Sequence, residues 1–309
     1  MIVLITGANG YIASELIESL EQYSDIYIYA VVRKKHIGCF KNRINVEYLY
    51  FDMREYDILW SAVGSQVDCI VHCTWNGARG KGNHRNSIQN ENTLGTMKLL
   101  LSAKRLKCKK FVQMGSLAEY GMVYDQKFPI TEQTKCMPIT PYAKAKYECF
   151  LKLSEECSMY EMDFCELRLG SVYGFNMQST AMIKYVICGL IADKEIGLES
   201  DCGQSWEFVY IQDVIAILQK IVRTENKLGI HVLNVSSGEN KKLKIFMEEI
   251  EKMIGGKGHI NFGKAVNQSR FGCAGICCNV SLLKEYMGKE YKFTTFEEGI
   301  REIIRMERS

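Results

Sequence analysis

The chain opens on Met1-Ile-Val-Leu-Ile-Thr-Gly, a β-branched run that ends in a glycine-containing turn and passes directly into an amphipathic pattern from Tyr11 to Gln22. That strand-to-helix step recurs. Strands are expected at Ile2 to Thr6, Ile26 to Val32, Val46 to Phe51, Asp68 to Cys73, Lys110 to Met114 and Phe164 to Gly170, with helices at Asn92 to Lys104 and Thr140 to Cys157. Strands separated by helices lie parallel and are joined by right-handed crossovers. The expectation is therefore an α/β fold built on a doubly wound parallel sheet. After Gly174 the rhythm loosens. A dinucleotide-binding domain is expected over residues 1–174, and a smaller C-terminal substrate-binding lobe over 175–309, with some chain returning to the sheet.

Composition narrows the function. Of 309 residues, 47% are hydrophobic and 24% charged, which fits a globular chain and excludes disorder, collagen and coiled coil as overall classes. A net charge of +3, evenly spread, gives no reason to expect nucleic acid or a membrane surface as partner. No apolar run reaches the ~20 residues of a membrane helix. The opening segment reads as a strand, not a signal peptide. The 13 cysteines include no Cys-x-x-Cys. Cys273, Cys277 and Cys278 read as small hydrophobes and not as a metal site, and many unpaired thiols suit a reducing cytoplasm.

The turn Thr6-Gly7-Ala8-Asn9-Gly10-Tyr11-Ile12-Ala13 has the composition of a phosphate cradle. Gly7 permits the tight turn, Gly10 lets backbone approach a pyrophosphate, and Ala13 lets the helix pack close to the sheet. The helix N-terminus then offers N–H groups and a partial positive charge. This is the pattern of a Rossmann dinucleotide site, with Asn9, Tyr11 and Ile12 at the cofactor. The second strand ends Val32-Arg33-Lys34-Lys35, with no acid at its tip. Arg33 and Lys34 either bind a ribose 2′-phosphate or form a solvated basic loop. The first reading makes NADP(H) the expected cofactor, with NAD(H) the other choice. Asp52 and Met53, after the third strand, are expected on the adenine side.

Tyr142 and Lys146 are spaced i, i+4, on one face of a helix. An ammonium beside a phenol lowers the phenol's pKa, and such a phenol can give or take the proton of a secondary alcohol. Ser116 follows the fifth strand at the ligand-binding edge of the sheet. There it either holds a substrate oxygen or serves as a turn residue. His72 lies in a strand and reads as a hydrogen-bonded core histidine. Trp75 and Trp206 either stack on the substrate or belong to the core. Arg79 and His84 either reach the substrate or belong to a solvated loop.

With these residues the chain resembles the extended short-chain dehydrogenase/reductases that act on nucleotide sugars as epimerases, dehydratases and reductases. The likeness extends through Asp52, Val71-His72, Asn92-Thr-Leu-Gly95-Thr96, Glu132, Pro138, Leu167-Arg168, Val172-Tyr173-Gly174, Phe208 to Asp213, Asn234 to Gly238 and Phe296 to Ile300. It implies Ser116, Tyr142 and Lys146 as the catalytic set, with Tyr142 and Lys146 also touching the cofactor. It further implies a homodimer through the helices flanking the tyrosine. The segment after Tyr173, with Asn176, helps build the sugar-nucleotide lobe, and Arg270 resembles a late arginine that contacts the pyrophosphate. The chain departs from the pattern at Thr74-Trp75-Asn76, at Phe175 in place of proline, and at Trp206-Glu207 in place of Arg-Asp. Ala118 stands where dehydrating relatives carry an acid. The expected activity is NADPH-dependent reduction of a nucleotide-linked 4-keto-6-deoxy sugar. The alternatives are an NAD-dependent nucleotide-sugar 4-epimerase and a non-catalytic nucleotide sensor.

Overall fold

The structure is a computed structural model that describes residues 1–309 except 79, 122–128, 178–180, 226, 230, 266–274, 276 and 309. It divides into two compact units. The first comprises Met1–Glu119, Pro138–Arg168 and Ile215–Leu233; the second comprises Tyr120–Met137, Leu169–Val214 and Asn234–Ser309.

The first unit is built on the sheet. In chain order come β1 (Ile2–Thr6), α1 (Tyr11–Leu20), β2 (Tyr27–Val32), β3 (Val46–Tyr50), β4 (Cys69–His72), α2 (Asn86–Arg105), β5 (Lys110–Ser116), α3 (Pro141–Met159) and β6 (Asp163–Leu169). Val3, Leu4, Ile5, Ile28, Ala30, Ile70, Val71, Phe111 and Val112 are fully buried. Strands covered on both faces read as continuous apolar runs, which is why they stand out in the sequence. β7 (Ser171–Tyr173), α4 (Met182–Ile191), β8 (Glu195–Ser200), β9 (Ser205–Trp206), β10 (Phe208–Tyr210), α5 (Ile211–Arg223) and β11 (Val232–Val235) follow. The strands assemble as a seven-stranded parallel sheet in the order β11-β6-β5-β4-β1-β2-β3. The order reverses between β1 and β4, where Val3 pairs with Cys69 and Thr6 with His72. Ligands of open α/β sheets bind outside the carboxyl ends of the strands at such a point.

α2 starts six residues before the Asn92 expected from periodicity. Its inward side at that end carries Gln89, Asn92, Thr93 and Thr96, all buried. A helix whose buried face is polar has no apolar stripe to reveal it. The other elements agree with the sequence reading to within about two residues.

The second unit contains two-stranded pairs, β7 with β10 and β8 with a late strand at His259–Ala265. Its core is aromatic. Tyr173 meets Phe208 at 5.8 Å, Tyr210 at 5.3 Å and Phe296 at 5.3 Å, and Phe246 meets Phe296 at 4.6 Å. An ideal Cβ on Gly299 would lie 2.3 Å from the Tyr173 hydroxyl, so the helix Phe296–Arg308 reaches this cluster only with glycine there. Asp213 accepts from Tyr291 Oη at 2.7 Å and from the Thr294 N–H at 3.0 Å. Glu207 accepts from Ser236 Oγ at 2.5 Å and from the Cys278 N–H at 2.8 Å. Among the described residues no helix is long and apolar enough to cross a membrane.

One lysine ties α5 to the sheet of the first unit. Lys110, at the start of β5, is buried and donates to the carbonyls of Ile221 at 2.7 Å and Thr224 at 2.5 Å. An ammonium on the last carbonyls satisfies helix-end acceptors and complements the helix dipole. Lys110→Met is expected to lower stability by roughly 1.5–3 kcal/mol, the range for hydrogen bonds to a charged group. Urea unfolding read by circular dichroism checks this, and an unchanged midpoint would remove the lysine from the account.

Candidate active site

The turn after β1 has the form its sequence demands. Gly7 adopts φ +69°, and an ideal Cβ on it would stand 2.9 Å from Thr74 N, at the exit of β4. Gly10 is the N-cap of α1 and carries no capping side chain, and the first intrahelical bond runs from the Ser14 N–H to Gly10 O. The helix end ahead of that bond presents amide hydrogens to whatever lies beyond it. Ala13 is fully buried. Asn9 reaches the next βα turn, with Nδ2 3.1 Å from His36 Nε2. Tyr11 and Ile12 are half-buried in the first turn of α1. This cradle fits a pyrophosphate.

The tip of β2 is less basic than its sequence. Arg33 and Lys34 are exposed, and Lys34 Nζ is ion-paired with Glu55. Glu55 also accepts the Asp52 N–H at 3.1 Å, in a capping arrangement that starts the 3₁₀ turns Met53–Ala62. The Lys34 ammonium, and then the Asp52 N–H, hold the Glu55 carboxyl below the usual carboxylate range. A carboxylate therefore stands at the β2 tip after all, brought there from the turn after β3. The Asp52-x-x-Glu55 spacing of a capping box was the signal for it. Met53 turns into the core, against Gly95.

Tyr142 and Lys146 lie one turn apart on α3, whose start is capped by Thr140 accepting the Ala143 N–H at 3.2 Å. Lys146 is 3% exposed, and its Nζ donates to Met114 O at 2.5 Å. The same Nζ lies 3.6 Å from the centre of the Trp75 ring, and Trp75 meets the Tyr142 ring edge-on at 6.1 Å. Burial draws the Lys146 pKa down to about 8. Ser116 ends β5, two residues beyond Met114, and its Oγ accepts the Ala118 N–H at 3.2 Å. Glu119, one residue past the position of the dehydrating acid, is fully buried and accepts the Ser116 N–H.

A polar network holds Trp75 and its loop. Trp75 Nε1 donates to Gln89 Oε1 at 2.9 Å, and Gln89 Nε2 donates to the carbonyls of Gly77 at 3.1 Å and Gly82 at 2.9 Å. Asn92 exchanges bonds with both backbone groups of Asn76, at 2.9 and 2.8 Å. Gln89 escaped the sequence reading because a glutamine in a polar stretch carries no signal of burial. Thr74 bonds Tyr56 Oη through Oγ1 at 3.0 Å.

His72 is 1% exposed between Thr6 Oγ1 at 2.7 Å and Thr96 Oγ1 at 3.1 Å. Burial, with the Lys146 charge, pushes its pKa down to about 3, which keeps it neutral. Asn176, exposed at φ +58°, and Trp206, paired with Lys241 across β9, belong to the second unit. Arg79, Arg270 and Cys273 lie outside the described residues. Among the described residues no group of three His, Cys, Asp or Glu side chains could hold a metal ion.

The chain is similar to known proteins. The CDP-abequose synthase of Salmonella muenchen is 26% identical, across 98% of this chain and 97% of its own. A putative UDP-glucose 4-epimerase of Methanocaldococcus jannaschii is 25% identical, across 85% of each chain. The crystal structure of the UDP-glucuronic acid 4-epimerase of Bacillus cereus, with UDP-glucuronic acid and NAD, superposes with a TM-score of 0.82 at 19% identity. That alignment covers 100% of this chain and 99% of the other, and shows a common fold. The model of the NAD dependent epimerase/dehydratase family matches residues 3–236. The chain is an enzyme belonging to that family.

Proposed function

We propose that the protein is an NAD-dependent nucleotide-sugar 4-epimerase. The observation that carries this reading is the Glu55 carboxylate at the β2 tip, paired with Lys34. An acid at that place favours the free ribose hydroxyls of NAD over a 2′-phosphate. The names of the relatives support a nucleotide sugar as substrate, and two of the three names are of 4-epimerases, that of the Methanocaldococcus jannaschii protein as a putative one.

The residues divide the work as follows. The end of α1 holds the pyrophosphate. The bound nicotinamide supplies hydride acceptance and return at one carbon. Ser116 holds the C4 oxygen of the sugar. Tyr142, as a phenolate, takes the proton of the C4 hydroxyl and later gives it back, and Lys146 stabilises the phenolate before the first transfer and after the second. Trp75 covers Lys146 and strengthens its charge effect by keeping water off it. The intact set of Ser116, Tyr142 and Lys146 speaks against a non-catalytic sensor. Leu94 and Leu101 on α2 and Leu151 on α3 are exposed, which supports pairing of two copies through these helices.

A second reading keeps Arg33 as its basis. Arg33 is exposed at the β2 tip and suits a 2′-phosphate, hence NADPH-dependent reduction of a nucleotide-linked 4-keto-6-deoxy sugar.

Stoichiometry separates the two. Incubation with UDP-glucose, UDP-glucuronic acid and other nucleotide sugars is expected to interconvert two 4-hydroxy epimers with no net change in cofactor absorbance. Titration by fluorescence is expected to show NADH bound more tightly than NADPH. One NADPH consumed per 4-keto sugar reduced would transfer the function to the reductase reading.

Tyr142→Phe is expected to lower turnover by ~10²–10⁴-fold, the usual loss for a positioned general acid–base, with cofactor binding nearly unchanged. Near-normal turnover would remove Tyr142 from the step. The Lys146 ammonium is present below about pH 8 and is lost above it. Turnover is therefore expected to decline as pH rises through that value, and a rate that keeps climbing well beyond it would separate Lys146 from the proton transfer.

A further inference from the structure

Beside the end of β5 lies a charge cluster that the proposed chemistry does not use. Glu119 and Glu166 are fully buried, and Arg168 is 2% exposed. Arg168 Nε donates to Glu119 Oε2 at 3.2 Å and to Glu166 Oε1 at 3.1 Å. The other Glu119 oxygen, Oε1, accepts the Ser116 N–H at 2.7 Å. The other Glu166 oxygen, Oε2, is buried and has no hydrogen-bond partner. An ideal Cβ on Gly115 would stand 2.7 Å from Glu166 Cγ and 3.0 Å from Glu119 Oε1, so β5 admits both carboxyls only because this residue is glycine.

Two ionised carboxylates against one guanidinium leave a negative charge in the interior. Lys146, on α3, acts on both only through its field, because its Nζ bonds Met114 O and faces the Trp75 ring instead of pairing with either carboxylate. A buried charge without full compensation takes up a proton instead of staying ionised. The contacts say where that proton goes. Both Glu119 oxygens already accept from N–H groups, whereas Glu166 Oε2 faces no donor and can itself donate to Glu119. Burial pushes both carboxyls up, and the Glu119 charge pushes Glu166 further.

We propose that Glu119 and Glu166 share a single proton carried on Glu166, and that this pair is the positioning device for Ser116. The functional half of the proposal rests on the reading of Ser116 as the residue that holds the substrate oxygen. Glu119 touches no substrate. It fixes the backbone of Ser116, and the Ala118 N–H fixes its hydroxyl. Loss of the shared proton adds a buried negative charge and loosens that hold.

The two carboxyls then respond differently to isosteric change. In Glu166→Gln the amide N–H₂ takes the place of the carboxyl proton and donates to Glu119. In Glu119→Gln, an oxygen kept on the Ser116 N–H turns an N–H₂ toward the Arg168 donor. Infrared spectra of the whole protein at neutral pH test the proton directly. Wild type is expected to show a protonated-carboxyl C=O band that shifts in D₂O and is missing in Glu166→Gln. No such band in wild type, or a band that persists in Glu166→Gln, overturns the proposal.

Thermal unfolding gives a second readout. A carboxyl whose pKa is raised by folding contributes stability that is intact below its unfolded pKa and is lost as pH rises toward the folded one. Wild type is therefore expected to lose more stability than Glu166→Gln over that window, and equal slopes overturn the shared proton. With UDP-glucose as the probe, Glu119→Ala and Glu119→Gln are expected to lower kcat, for the alanine by about 10²-fold, the scale of a misplaced positioning group, with KM little changed. Glu166→Gln is expected to keep most of kcat. Equal losses for the two glutamine variants overturn the positioning role. If wild type does not turn over UDP-glucose, the functional reading fails on that substrate while the infrared band and the unfolding slopes still decide the carboxyl pair.

Discussion

The close approach of Gly7 to Thr74 is the contact from which the candidate site is built. It occurs where the strand order reverses, so the ends of β1 and β4 stand side by side and their following turns diverge. Nothing larger than a hydrogen fits on Gly7, and the left-handed backbone there sends the chain into α1 with its amides facing outward. Two residues before Thr74, at the end of β4, His72 spans from Thr6 to Thr96 and binds β1, β4 and α2 into one piece. Its neutrality is part of the design, since a charged imidazole enclosed by two hydroxyls and a nearby ammonium would be costly. Three elements that carry the phosphate cradle, Trp75 and the α2 network are thereby held in one register.

The sheet was legible in the sequence because its strands are buried on both faces and rich in branched aliphatic residues. The glycine turn was legible because only a few residue types satisfy a positive φ and a close backbone approach at once. The start of α2 was not, since the face it buries is made of Gln89, Asn92, Thr93 and Thr96. The Glu55 carboxylate was missed for another reason. It reaches the β2 tip across the gap between two successive βα turns, and local sequence around Arg33 and Lys34 contains no trace of it. Trp75 was seen as a candidate, but its place over Lys146 and against Tyr142 depends on how β4 and α3 pack, which spacing along the chain does not encode.

Several motifs that looked scattered along the chain prove to be a single packing problem. Val172-Tyr173-Gly174, Phe208 to Asp213 and Phe296 to Gly299 are far apart in number, Tyr173 and Phe296 by 123 residues, yet Tyr173, Phe208 and Phe296 share one aromatic cluster and Gly299 lies against the Tyr173 hydroxyl. Their residue types follow from ring packing and one close approach, with no need of a ligand. Glu207, which replaces the expected Asp, likewise bonds Ser236 and the Cys278 amide within the second unit.

That cluster also orders events during synthesis. Phe296 lies in the terminal helix, Phe296–Arg308, and the aromatic core of the second unit is incomplete until it is supplied. The first unit draws its last segment from Ile215–Leu233 and can close while the ribosome is still making the rest. Chains fold in units as they emerge, at ~5–20 residues per second. The glycine turn after β1 belongs to the unit whose segments are all synthesised by Leu233, and for some seconds afterwards the nascent second unit holds Tyr173, Phe208 and Phe246 without Phe296.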